Sequence, residues 1–171
     1  MLKGREIKKA FYGVPSADGE VTFTRMKYFT DLSISKNPIE YSRRYVDEKT
    51  ERSDVVGYAP SISYSFDEYS DDLVLADIVS ISDGEMVGTD THRDIILVDF
   101  SKEVSGGYSA VKRTFSIIPD SEGDSTDAYT YSGNLKSVGE IVKGVAKIAT
   151  PADATPEKVL TITFTEDSTE E

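Results

Sequence analysis

The chain of 171 residues contains no cysteine, no tryptophan and one histidine, His92. The lack of cysteine excludes disulfides, thiolate nucleophiles and every cysteine-ligated metal site. A single histidine rules out a multi-histidine zinc centre, and as a catalytic base it would need an orienting partner and a nearby nucleophile. His92 stands in "GTDTHRD", just before an apolar run, where a solvated loop histidine is the simpler interpretation. We therefore expect neither an enzyme active site nor a cofactor.

Long apolar runs and basic residues are also scarce. No run approaches the roughly 20 apolar residues needed to cross a bilayer, so we expect no membrane segment. The N-terminal "MLKGREIKKAFYGV" is basic but lacks the apolar core and cleavage site of a signal peptide, which favours a cytoplasmic site of synthesis. The formal net charge of -12 makes the surface as a whole repel phosphate, so tight nucleic-acid binding is not expected.

The composition is that of one folded domain. A hydrophobic fraction of 38% and an aromatic fraction of 10% exclude wholesale disorder, and the length suits a single core. We expect one domain over residues 1–171, with a flexible N-terminal arm over about residues 1–10 and an acidic tail over residues 166–171.

The dominant pattern has a period of two residues, which is typical of strands with one buried face. It recurs in "VTFTRMKYF" (21–29), "IEYSRRYV" (39–46), "PSISYSF" (60–66) and "VLTITFTE" (159–166). "DIILVDF" (94–100) is apolar without alternation and is predicted as a central strand covered on both sides. Residues 108–118 and 129–148 complete the set, and Gly139 and Gly144 suggest a bulge or bend in the latter.

One segment, "SDDLVLADIVSISDG" (70–84), breaks this pattern and is predicted to be a helix. Ser70 is the expected cap and Asp83-Gly84 the end, while Val74, Ile78 and Ile81 fall on one apolar face. The predicted fold is mainly β: an antiparallel β-sandwich or barrel with one flanking α-helix.

Two features suit either exposure to solvent or contact between copies. In "PSISYSF" the apolar residues point one way, so Ser61, Ser63 and Ser65 form a bare hydroxyl face that solvent, another copy or a water-filled bore must meet. Residues 46–56 form a long charged loop or the tip of a long hairpin. The simplest interpretation of "SRRYVDEKTER" is a solvated loop, but its self-complementary charge also suits stacking of identical subunits. The candidate interface residues are Arg43, Arg44, Asp47, Glu48, Lys49, Glu51 and Arg52.

Acidic residues offer weaker alternatives. The acidic segment at Asp120, Glu122, Asp124 and Asp127 has oxygens for calcium but lacks the ligand order of an EF-hand. Neighbouring pairs such as Asp71 and Asp72 lack the separation across a cleft that glycosidases use. We interpret both groups as solvated charge.

The order of these pieces resembles the tail tube proteins of long-tailed phages and phage-tail-like particles. The resemblance runs from "AFYGV" (10–14) through "SISYSFDEYSDD" and "IILVDF", and is carried mainly by "AYTYSGNLKSVGEIVKG" (128–144). It implies a structural protein without an active site that forms rings, usually of six copies. Sheets join edge to edge around a channel for DNA, and rings stack into a tube.

The resemblance also implies locations and partners. The protein would lie in the virion tail, after assembly in the host cytoplasm, and would contact tape measure, tail terminator and distal tail or baseplate proteins. DNA would pass through without specific binding, and no membrane is involved. The candidate lumen-lining residues are Ser61, Ser63, Ser65, Thr22 and Thr24, although Arg25 and Lys27 fit a DNA channel poorly.

The alternative is a β-sandwich binding module that does not assemble and takes a carbohydrate or protein ligand. The ten tyrosines permit it, and the absence of tryptophan, a frequent sugar-stacking residue, weighs against it.

Overall fold

The computed structural model describes residues 1–168 and is mainly β, with one α-helix. A short 3-10 turn (Arg5–Ile7) precedes the first strand and another (Gly88–Thr91) precedes the seventh. The eleven strands and the helix are β1 (Lys8–Pro15), β2 (Val21–Arg25), β3 (Phe29–Ser35), β4 (Pro38–Arg43), β5 (Arg52–Tyr58), β6 (Ser61–Asp67), α1 (Leu73–Asp83), β7 (His92–Val104), β8 (Gly107–Glu122), β9 (Thr130–Ser137), β10 (Val142–Thr150) and β11 (Thr161–Glu166). The predicted fold class is confirmed.

Six strands close into an antiparallel barrel in the order β10-β11-β2-β1-β7-β8, because β8 pairs with β10 as well as with β7. Its interior, here called the barrel core, is filled by large apolar side chains that include Phe11, Ile96, Val98 and Ile162. Closure satisfies the strand edges within the barrel.

The same nine-stranded sheet continues beyond the barrel from strand β8. The first half of β8 pairs with β10, and its second half pairs with β9, which continues through β6 to β3. The second half of β8 with β9, β6 and β3 is here called the extension. Its apolar face packs on the outside of the barrel wall, forming the helix-side core with Tyr64, Phe66, Ile117 and Leu135.

Strand β7 lies between these two cores, which explains its unbroken apolar run. Ile95 belongs to the helix-side core, whereas its neighbour Ile96 belongs to the barrel core. The prediction of a central strand covered on both sides is therefore confirmed.

Helix α1 covers one end of the helix-side core. Val74, Leu75, Ile78 and Ile81 are all buried, as the apolar spacing predicts. The predicted cap was wrong by two residues: the Asp72 carboxylate, not Ser70, accepts a hydrogen bond from the Leu75 N–H at 3.0 Å. Gly84 ends the helix, as predicted.

A half-buried ionic contact holds α1 against the barrel wall. The Asp77 carboxylate accepts a hydrogen bond from the Tyr12 hydroxyl at 2.5 Å and two from the Arg93 guanidinium at 2.8 and 3.2 Å. These bonds join the helix to β1 and β7. Two donors to one carboxylate compensate for removing its charge from water.

Three strand predictions need correction. "VTFTRMKYF" is not one strand: β2, a strand of the barrel, ends at Arg25, and Tyr28, at a φ of 68°, turns the chain into β3. Residues 129–148 form two strands, β9 and β10, which pair with different halves of β8 and are separated by a break that contains Gly139. Gly144 is not a bulge; a Cβ there would meet the Phe164 ring and the Thr165 carbonyl.

The ends of the domain also differ from expectation. Strand β1 begins at Lys8 and Ala10 is buried, so residues 8–10 of the expected N-terminal segment belong to the barrel. In the expected tail, Glu166 closes β11 and the Asp167 N–H donates to the Lys143 carbonyl at 3.0 Å. Residues 169–171 lie outside the described residues.

Raising the pH above about 10 should destabilise the fold through Tyr12. Burial, with the Asp77 carboxylate as a further cause, raises the pKa of the Tyr12 hydroxyl well above its ordinary value. The protonated hydroxyl therefore contributes its full stabilisation below a pH of about 10, the pKa of tyrosine in the unfolded chain. Above that pH the free energy of unfolding falls by at most about 1.4 kcal/mol per pH unit. Urea unfolding at about pH 9 to about pH 11 measures the slope.

The variant Tyr12→Phe is the control because it removes this titration. Its free energy of unfolding should depend less on pH over the same range. Equal slopes for the two proteins would contradict the assignment to Tyr12.

Candidate assembly surfaces

The extension carries a polar face opposite the helix-side core. Cross-strand partners share a face, so the register places Ser63 beside Ser33 on one side and Asn134 on the other. The hydroxyl residues of this face, here called the hydroxyl face, are Ser33, Ser35, Ser61, Ser63, Ser65, Ser116, Ser121, Thr130 and Ser132. All are exposed or half-buried, so no described element covers this face.

Short polar bonds cross the hydroxyl face. Ser33 and Ser63 donate to the two oxygens of Asp31 at 2.7 and 3.1 Å, and the Ser121 and Ser132 hydroxyls lie 2.7 Å apart. Besides Asp31, Asp67 and Lys136 are the charged residues that the register places on this face. The face is therefore polar, with little net charge.

The two sets of candidate lumen residues lie on opposite faces. Thr24 pairs with Tyr12 and Thr22 with Val14, and both partners pack in the helix-side core. Ser61, Ser63 and Ser65 point away from that core. The structure thus separates Thr22 and Thr24 from the serines, and the Arg25 guanidinium on β2 donates to the Glu157 carbonyl at 2.8 Å.

The rest of the hydroxyl face was missed from the sequence. "DLSIS" (31–35) alternates Leu32 and Ile34 with Asp31, Ser33 and Ser35, which is the period-two signal in a short form. Ser116, Ser121 and Ser132 join them only because β8 and β9 are neighbours of β6.

The extension has two free edges among the described residues. β3 has β6 on one side only, and β8 beyond Ser116 has β9 on one side only. The Arg5 guanidinium reaches the Leu32 carbonyl of β3 at 3.2 Å. Unpaired N–H and C=O groups along such edges form a template for another strand.

Strands β4 and β5 form a hairpin that is a separate two-stranded sheet, here called the arm (residues 38–58). An isolated hairpin is marginally stable in water. Its large exposed apolar residues are Ile39, Tyr41, Tyr45, Val46, Val55, Val56 and Tyr58. A solvent-exposed hairpin with this many uncovered apolar side chains is typical of a contact surface.

All seven candidate interface residues lie at the tip of the arm. Arg43 pairs directly with Arg52, so the turn spans residues 44–51, and residues 52–56 of the predicted loop belong to β5. The hairpin interpretation was the right one. The Arg43 and Arg52 guanidiniums lie 5.9 and 6.0 Å from the centre of the Tyr45 ring, and Arg52 pairs with Glu48. Arg44, Asp47, Lys49 and Glu51 are exposed.

The described residues give little support for a metal site, a catalytic histidine or a membrane span. No three His, Asp or Glu side chains of residues 1–168 are grouped as a metal would require. His92 begins β7 and is half-buried. No helix in that range is long and apolar enough to span a bilayer.

Comparison with known proteins does not identify the chain. No model of a protein family matches the sequence, and no curated protein matches it. The geometry of these surfaces therefore carries the functional argument.

Removing the arm should leave the domain folded. Replacing residues 40–56 with Asn-Gly, which joins the paired residues Ile39 and Gly57 through a tight turn, should change the free energy of unfolding by less than about 0.5 kcal/mol. The reason is that the arm pairs only with itself among the described residues. Urea unfolding measures the difference.

The variant Ile78→Ala provides a positive control for this measurement. Ile78 lies on the buried face of α1, so its truncation should cost about 2–5 kcal/mol. Unfolding of the shortened protein at a much lower urea concentration would mean that the arm is part of the core structure.

Proposed function

We propose that this protein is a structural subunit that assembles into stacked rings, with six copies per ring by the resemblance to phage tail tube proteins, and that the tube conducts DNA. The observation that supports this most is the extension: a sheet with two free edges, one packed face and one bare hydroxyl face. The role uses no catalysis and no cofactor.

The order of strands suits closure into a ring. Along the extension, β3, β6, β9 and β8 alternate in direction, so β3 and β8 run oppositely at the two edges. Copies related by rotation about an axis would place β3 of one beside β8 of the next in antiparallel orientation. An even number of alternating strands thus allows a continuous antiparallel barrel that uses the edges of every copy.

The size of that barrel fits a conduit. Six copies with four strands each give 24 strands, and at about 4.8 Å per strand the backbone circle is about 37 Å across before any strand tilt. Serine adds little bulk to the inner wall. A duplex of DNA would pass through a bore of this width.

The hydroxyl face is the natural inner wall because the barrel and α1 occupy the other side of the sheet. Its hydroxyl groups hold water and carry no positive charge. Six copies have a formal charge of six times -12, or -72, so the ring as a whole would not retain phosphate. Thr22 and Thr24, on the opposite face, are left out of the proposed wall.

The arm would contact neighbouring copies through its exposed apolar residues and its charged tip. Mixed charge at residues 43–52 allows bases of one copy to meet acids of another. Location in a virion tail and contacts with tape measure, terminator and distal tail or baseplate proteins rest on the family resemblance.

Negative-stain microscopy of concentrated protein tests the proposal, and rings or hollow tubes are the expected result. The triple variant Arg43→Glu, Arg44→Glu, Arg52→Glu should form no long tubes, because it replaces the arm's guanidiniums with repelling charge. Its free energy of unfolding should stay within about 0.5 kcal/mol of the original, since these residues are exposed.

One outcome would contradict the proposed tube, and another would contradict only the role of the arm. A protein that stays monomeric at every concentration, even with an initiator complex, would favour the binding-module alternative. Unchanged tubes from the triple variant would remove the arm's tip from the contacts while leaving the tube itself supported.

Thiol accessibility in assembled tubes tests which face lines the bore. Because the chain lacks cysteine, Ser63→Cys introduces a unique thiol on the hydroxyl face. In tubes it should react with a small maleimide but be protected from a bulky polymer-linked one, whereas the dispersed protein should react with both. Lys147→Cys, on an exposed position of β10, is the matched control that should react with both reagents in both states. If the bulky reagent labels the Ser63→Cys variant equally in tubes and in dispersed protein, the hydroxyl face lies outside.

A further inference from the structure

A groove of about 870 Å³ lies at the end of the helix-side core that α1 leaves open. It runs between the N-terminal segment, the end of β3 and the outer barrel wall. Ala10, Leu32, Ile34, Ile62 and Leu97 form its apolar floor. This floor is the continuation of the core surface, so covering it would remove more apolar area from water.

The rim of the groove is basic in a chain that is otherwise strongly acidic. It carries Lys3, Arg5, Lys8, Lys36 and Lys102 against a single acid, Asp99. Of these five cations, only Lys8 has a carboxylate within 4.0 Å in residues 1–168, that of Asp99. The rim therefore holds positive charge that this copy leaves largely uncompensated.

The opposite end of the extension is acidic. The end of β8 and its turn into β9, together called the acidic turn (residues 120–129), expose Asp120, Glu122, Asp124 and Asp127 with no basic residue among them. None of these four forms a salt bridge within the described chain. Tyr129, at the end of the turn, is half exposed and offers an apolar ring.

The strand register fixes the two features at opposite ends. Ile62 lies at the start of β6 beside Ile34, whereas Asp67, at the end of β6, pairs with Thr130 directly after the acidic turn. The length of β6 separates the ends by about 20 Å. Copies stacked head to tail along this direction would bring the acidic turn of one copy to the basic groove of the next.

We propose that the groove binds the acidic turn of a second copy, which makes this pair the contact between successive rings. The inference rests on the proposed tube. Charge complementarity supports the acidic turn as occupant, and the apolar floor suits a peptide with Tyr129 better than a bare phosphate chain. The arm is a poorer occupant. It begins just after Lys36, which lines the groove, so the arm and the groove are at the same end of the molecule.

Charge exchange tests the contact. Lys36→Glu with Lys102→Glu should abolish tubes but leave single rings, and so should Asp124→Lys with Asp127→Lys. Combining the four substitutions in one chain should restore tubes, because the complementary charges are exchanged. Lys143→Glu with Lys147→Glu makes the same net change on exposed positions of β10 and should leave tube length unchanged.

A cross-link between copies tests the same contact directly. In the cysteine-free background, oxidised tubes of the double variant Lys36→Cys, Asp124→Cys should yield a ladder of covalent multimers, and either single variant should yield none. A ladder from Lys36→Cys with Val46→Cys would instead place the arm's tip in the groove and overturn the inference.

The results separate the two proposals. If the unaltered protein forms tubes while the 36–124 pair gives no ladder and the charge reversals have no effect, the groove contact is wrong and the tube stands. If the unaltered protein forms neither rings nor tubes, the proposed function fails, and the groove contact with it.

Discussion

Strand β8 links the barrel to the extension. The alternation of its side chains determines which residues lie on each face of both parts. Its first half closes the barrel against β7 and β10, and its second half begins the extension with β9. Ala110 faces the barrel core, and Ser116, six residues further along, stands on the same face, which Ser121 joins only after the register shift between Pro119 and Ser121. Because one face of a continuous strand cannot change sides without a bulge, the apolar lining of the barrel leads directly into the hydroxyl face.

The extension therefore has one apolar face and one polar face. Its apolar face packs against the barrel wall and α1 to form the helix-side core. The contact of Asp77 with Tyr12 and Arg93 holds α1 in place. The hydroxyl face has no apolar residues to bury apart from Ile118, so no element of the described chain covers it. Two free edges remain among the described residues, and their unpaired backbone groups form a template for another strand, which the proposed ring would supply from neighbouring copies.

Charge is also distributed unevenly, from end to end. Basic residues gather around the groove beside the N-terminal segment, and acids without nearby bases gather at the acidic turn. In an isolated copy this separation gains nothing, since opposite charges about 20 Å apart are largely screened at physiological salt. It would become favourable if copies repeated in one direction, as in the proposed stacked tube.

Local patterns in the sequence were enough to predict the class of structure. Period-two runs predicted the strands, the spacing of Val74, Ile78 and Ile81 predicted the helix, and "DIILVDF" predicted a strand buried on both sides. The same alternation placed Ser61, Ser63 and Ser65 on one face.

Strand pairing, in contrast, could not be read from these patterns. The folded chain was needed to show that Thr22 and Thr24 lie on the other face, that β3 and β8 are the free edges, and that Lys36 and Lys102 meet at one groove. Side-chain alternation is a property of neighbouring residues, whereas the hydrogen-bonded partner of each strand depends on residues far away in the chain.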